Sequence, residues 1–223
     1  MQRTVLMCTL AASLVATEPA AAAPPATWDG LVQVPSKKAK LAYLQPGADF
    51  SRYTKVLIEE PDVAFQKDWR RDYNRSHRSL SGQVSESDVQ EAVSQGVVKA
   101  GEIFAQAWTK GGYTVVNAPG PDVLRVRVGI VNIRVSAPDR QTSGRSHSFS
   151  GEAGSATLFV EARDSETNAL LGRAVDQRLA GDNPNGWRTA VSNRGDFRDL
   201  VRDWATAGVR AMTELKSRSP VKP

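Results

Sequence analysis

Between Ser85 and Val135 the spacing of apolar residues changes from three or four to two, which commits this part of the chain to a helix laid against a sheet. Val89, Val93, Val97, Ala100, Ile103, Phe104, Ala107 and Trp108 recur at helical steps. Ser85 and Asp88 read as a capping box with Asp in place of Glu, Glu86 and Asp88 suit a helix N-terminus, and Lys110-Gly111-Gly112 is a stop signal. A long amphipathic helix is expected, turning Val93, Val97, Ala100, Phe104 and Ala107 to a sheet, with Gly96 and Ala100 allowing close approach. From Val123 to Val135 the period is two. Leu124, Val126, Val128 and Ile130 share one face and Arg125 and Arg127 the other, but beyond Ile130 the apolar side passes to Val131, Ile133 and Val135. Alternation cannot change faces without an extra residue or a twist. A bulge is therefore expected between Gly129 and Asn132, the alternative being a half-strand buried on both sides.

The remaining elements follow from shorter signals. Lys40 to Leu44, Tyr53 to Glu59, Tyr113 to Asn117, Thr157 to Arg163 and Leu170 to Leu179 read as strands, with Pro61 closing the second. The last two are joined by the turn-rich run Asp164 to Ala169, which sets Leu158 and Val160 across from Val175 and Leu171. Gln66 to Gly82 shows no period, and Trp28 to Gln45 reads as a lightly structured lead-in. A closing helix is expected from Asp196 to Lys216, its stripe being Phe197, Leu200, Val201, Trp204, Gly208, Ala211, Met212 and Leu215. This order predicts an α+β two-layer sandwich: a mainly antiparallel sheet of about five strands with two long helices on one face. The boundaries expected are a leader to residue 22, a disordered stretch over 23–27, one globular domain over 28–219 and a tail over 220–223.

The leader sets the compartment. Arg3 is a basic n-region, Thr4 to Ala16 is apolar but shorter than the roughly 20 residues that span a bilayer, and Ala20 and Ala22 form the small-residue pair of a signal peptidase site. Pro24 disfavours a cut after Ala23, so cleavage is expected after Ala22, giving an exported, periplasmic chain without a transmembrane segment. Cys8 is the only cysteine and lies inside the leader, so the mature chain would carry no disulfide and no thiol. Too little n-region and h-region precedes Cys8 for it to serve as a lipid attachment point. The chain has a net charge of +5, with 20 Arg against 9 Lys, which suits carboxylates and phosphates. An exported chain with no recognisable nucleic-acid module is not expected to bind nucleic acid.

Several runs resemble a known family: Trp28-Asp29-Gly30-Leu31-Val32, Tyr43-Leu44-Gln45-Pro46-Gly47-Ala48-Asp49-Phe50, Val63-Ala64-Phe65, Lys67-Asp68-Trp69, Leu158-Phe159-Val160-Glu161-Ala162-Arg163-Asp164 and Leu171-Gly172-Arg173-Ala174-Val175-Asp176. Together they resemble the exported bacterial proteins forming the domain of unknown function numbered thirty-three thirteen, over about Trp28 to Ser219. The resemblance implies a Gram-negative, lipoprotein-like envelope protein. This chain departs from the lipidated members in lacking a usable lipobox, and the family supplies no activity or catalytic residue to transfer.

The residues offer little chemistry. His77 and His147 are far apart in polar segments, so no metal site, cofactor or catalytic centre is expected. No Ser sits in a G-x-S-x-G elbow and there is no phosphate loop. Glu161 and Asp176 on neighbouring strands are the one pair placed to cut a glycosidic bond, which needs carboxylates about 5 or about 6.5–9.5 Å apart. The alternation instead reads as an exposed charge ladder with Arg163, Arg173 and Arg178. Binding is the better expectation. Trp69, Arg70, Arg71, Tyr73, Arg75 and Arg78 interleave aromatics with guanidinium groups, and Trp187 stands in a second loop beside Asn183 and Asn185. The function expected is a non-enzymatic exported domain binding an envelope component, whether anionic polymer, lipid headgroup or protein. The rival readings are an envelope-polymer hydrolase and an accessory to envelope transport.

Overall fold

The computed structural model describes residues 23–77, 82–136, 147–149, 152–182 and 187–222. In chain order these form β1 (Thr27–Trp28), β2 (Leu31–Gln33), β3 (Leu41–Leu44), β4 (Lys55–Ile58), β5 (Asp62–Phe65), α1 (Trp69–Ser76), α2 (Glu86–Lys110), β6 (Thr114–Val115), β7 (Val123–Val135), β8 (His147–Phe149), β9 (Glu152–Asp164), β10 (Leu170–Asp182), β11 (Trp187–Thr189) and α3 (Ala190–Ser217). The expectation of about five mainly antiparallel strands is corrected to a mixed nine-stranded sheet in the order β1-β2-β3-β10-β9-β7-β4-β6, with β5 also on β7, and a separate β8–β11 pair. Strands β4 and β5 both run parallel to β7, which the α2 crossover permits. The α+β class stands, with a third, short helix.

α2 begins where its capping box forms, the Ser85 side chain accepting from the Asp88 amide while Asp88 accepts from that of Ser85. It pairs with α3 on one sheet face. Ala100, Phe104 and Trp108 from α2, and Leu200, Val201, Trp204, Ala205 and Met212 from α3, close the main core over Val56, Leu124, Val126, Val128 and Ile130. Val93 and Val97, expected at that face, are half-buried and lie outside the core, because the contacting stripe runs through Gly96 and Ile103 instead.

The phase slip in β7 is resolved by a bulge. Asn132 takes φ +53°, and pairing with β9 shifts between Val131 and Arg134, so Ile130 and Ile133 both reach the helix side. The β9–β10 hairpin pairs out of the expected register, by one residue at Leu158 and by three at Val160, which lies opposite Ala174. An irregularity at Leu170–Gly172 sets Val175 opposite Phe159, and Leu158 opposite Asp176.

Both ends of the described chain are packed. Thr27, expected within a disordered stretch, begins β1, and the Pro25 carbonyl accepts from the Tyr43 hydroxyl at 3.0 Å. Val221, in the tail expected over 220–223, is buried and exchanges backbone bonds with Gly47 and Ala48. Among the described residues no helix is long and apolar enough to cross a membrane.

Candidate functional site

The segment expected to be an irregular loop is α1, and its helical spacing sorts its residues. Trp69 and Tyr73, four residues apart, turn inward at 8% and 9% exposure. With Val84 they form a second small core against Phe65, Val89 and Val135. Phe65 stacks on Trp69 with centroids 4.6 Å apart, and Tyr73 follows at 5.5 Å. Asn74 clamps the turn, donating to the Val84 carbonyl at 2.8 Å and accepting from its amide at 2.7 Å. Arg70, Arg71 and Arg75 face solvent. Arg70 Nε lies 3.0 Å from Glu86, and Arg71 reaches Asp68 and Asp72. Such exposed pairs leave the guanidinium groups free to exchange partners. Arg78 lies outside the described residues, and Trp187 opens β11 with its side chain outside them.

Trp69 also borders a groove of about 580 Å³ between α1, α2 and α3. Its floor is Ile130, Ile133 and Val135, and Val63, Phe65 and Phe197 form walls. On the α2 side the groove is bordered by short side chains, Ala92 and the buried Ala100, while at Gly96 the helix packs directly on Val63, where a Cβ would come within 3.1 Å of the valine. Asp88, Glu91, Lys99, Arg194 and Arg198 stand at the rim. Among the described residues the lining contains no His, Ser, Tyr or Cys.

The two strand acids are not the exposed ladder expected. Glu161 is 5% and Asp176 7% exposed. Glu161 pairs across with Arg173 and Asp176 with Leu158, three residues from Glu161, so alternation puts the two carboxylates on opposite faces of the sheet. They share no cleft, and glycosidic chemistry through this pair is excluded. Asp176 faces the helices, accepting from Trp204 Nε1 at 2.9 Å, the Lys40 amide at 3.1 Å and Arg178 Nε at 2.6 Å.

Glu161 lies under β1. Its Oε1 accepts from Arg173 Nε at 3.0 Å and Nη2 at 2.5 Å, while Arg173 Nη1 donates to Asp29 at 2.9 Å. Trp28 covers the guanidinium, which sits 4.0 Å from the ring centroid. Burial pushes the Glu161 carboxyl up, but the Arg173 hydrogen bond and the charges of Arg163 and Arg173 outweigh it and hold it below its ordinary value. The sequence pointed to the right partners and missed the burial, because nothing local announces that β1 folds over this face.

Asp164 ends β9 in a comparable network. Burial pushes it up, but the Thr167 amide and hydroxyl, the Tyr53 hydroxyl and the Arg52 charge bring it down to about 2. Three of the runs that carry the family resemblance thus supply these networks, through Trp28, Asp29, Glu161, Asp164, Arg173 and Asp176. Among the described residues no group of three His, Cys, Asp or Glu converges to hold a metal.

No curated protein matches the chain. Among solved structures, a PelC dodecamer from Paraburkholderia phytofirmans is similar at 12% identity and TM-score 0.36, covering 74% of this chain and 96% of that one. A Xanthomonas campestris protein of the DUF330 family model is 10% identical with TM-score 0.38, covering 78% and 91%. A minor lipoprotein from Acinetobacter baumannii is 12% identical with TM-score 0.33, covering 73% and 94%. The family described as protein of unknown function, DUF3313, matches residues 25–207, and the chain belongs to it.

Proposed function

We propose that the protein is an exported, non-catalytic domain that binds an anionic component of the bacterial envelope where α1 borders the groove. One observation carries this reading: α1 buries Trp69 and Tyr73 beside an open apolar groove while turning Arg70, Arg71 and Arg75 outward. A rigid aromatic base that borders an apolar recess through Trp69 and turns a run of guanidinium groups to solvent suits a ligand that is anionic at one end and greasy at the other. Arg78 extends the same basic run in sequence, and Trp187 is a second contact in this proposal. Export to the periplasm is supported by the leader, with a mature chain beginning at Ala23. The net charge of +5 favours approach to an anionic surface.

Co-sedimentation with vesicles tests the binding. Association with phosphatidylglycerol vesicles, absent with phosphatidylcholine, weakened by salt and lost on replacing Arg70, Arg71 and Arg75 with Ser, is the expected result. Equal association of the triple variant would remove the basic surface from the account. Intact mass of protein recovered from the periplasm tests export, the expected N-terminus being Ala23.

A further inference from the structure

We infer that the groove takes the apolar chain of a single-chain anionic amphiphile, and that Arg198 of α3 holds its head. The inference rests on the groove being where the protein meets its envelope component, and it names that ligand's class. The volume, about 580 Å³, lies within the range of small-molecule sites, about 300–1,000 Å³. The floor and walls are mainly aliphatic and aromatic, Gln95 and the buried Asn193 being the uncharged polar exceptions, so they offer a sugar or a peptide backbone few partners, whereas a hydrocarbon chain needs none.

The charges at the rim decide the sign of the head. Its acids are used within the protein: Asp88 accepts from Ser85 in the helix cap, and Glu91 accepts from Gln95 at 2.9 Å. Among the cations, Lys99 is paired with Glu102 at 2.9 Å. Arg198 is exposed at the rim, and no acid among the described residues pairs with it, although Arg202 one turn further on is paired with Asp199. An unpaired guanidinium at the mouth of an apolar recess is complementary to a carboxylate or a phosphate. Both headgroups share this chemistry.

Bromine-labelled stearate gives a direct probe, because Trp69 lines the groove and heavy-atom quenching acts at contact. The expected result is saturable quenching that is largely lost in Trp69→Phe. Arg198→Ser should weaken stearate about tenfold while leaving dodecyl maltoside unchanged, and Arg198→Lys should restore part of the difference. Ala92→Trp should fill the groove and abolish binding of both probes, with a melting curve showing that the variant is folded. Running lysophosphatidylglycerol beside stearate distinguishes a phosphate head from a carboxylate by which one Arg198→Ser weakens more. Quenching that survives Trp69→Phe, stearate affinity that ignores Arg198→Ser, or binding unaffected by Ala92→Trp would each overturn the inference. So would a dimer in light scattering that Ala92→Trp dissolves, since a second copy would then occupy the groove. Vesicle binding that needs the three α1 arginines, alongside failure of every groove variant to affect stearate, would sink this inference and spare the basic surface; the converse would do the reverse.

Discussion

Replacing Glu161 with Gln removes the charge from the middle of the cluster under β1 while keeping its shape. Arg173, 8% exposed, loses a carboxylate that accepts two of its N–H bonds at 3.0 and 2.5 Å. Breaking a buried ion pair from one side costs about 3–5 kcal/mol, because a desolvated charge is left behind. Asp29 still accepts from Nη1, and the Trp28 ring still covers the guanidinium face, so the expected loss is near the lower end, about 3 kcal/mol. For a chain of this size that corresponds to a melting temperature lower by about 6–12 °C. Urea unfolding at pH 7, with calorimetry beside it, measures both. Glu161→Leu combined with Arg173→Met should recover most of the loss, since an apolar pair needs no compensation. A Glu161→Gln loss below about 1 kcal/mol would refute the claim that this pair is desolvated and show that water reaches it beneath β1.

Asp164 predicts a pH dependence. Its folded value of about 2 lies below its unfolded 3.8, so its contribution is complete above pH 4 and is lost as pH falls through 3.8 toward 2, removing about 2 kcal/mol. Urea midpoints across that window should fall more steeply for the natural protein than for Asp164→Asn. Asn132→Val, a branched residue forced to φ +53°, should cost about 1–2 kcal/mol in the same assay, whereas Asn132→Gly should cost much less. Trp69→Ala should cost about 3 kcal/mol by opening the stack between Phe65 and Tyr73. Replacing Arg70, Arg71 and Arg75 with Ser should leave the unfolding midpoint unchanged, separating the supporting half of α1 from its outward half.

The elements legible in the sequence were those whose signal is local and long. α2 could be read from its box, its stripe and its glycines, and the bulge in β7 from the phase of thirteen residues. β1, β2, β5, β8 and β11 were missed because strands of two to four residues carry almost no periodicity and exist only by pairing with partners elsewhere in the chain. α1 escaped notice because eight residues give two turns, and its apolar positions, Trp69 and Tyr73, are only two among charges. Its alignment with Phe65 at four-residue steps was the available clue. The same locality explains the burial of Glu161. Alternation put it correctly on the face away from the helices, but whether that face is wet depends on a Trp more than a hundred residues earlier. Arg198 was invisible as a site residue, because only the packed fold brings it to the rim of the groove, where no acid among the described residues pairs with it.

Native mass spectrometry of the protein released gently from its own envelope fraction tests most directly that the groove is a binding site. A bound species with the mass of an anionic single-chain amphiphile, retained by the natural protein and missing from folded Ala92→Trp, is the predicted result. A ligand-free natural protein, or an amphiphile carried equally by the filled-groove variant, would contradict it.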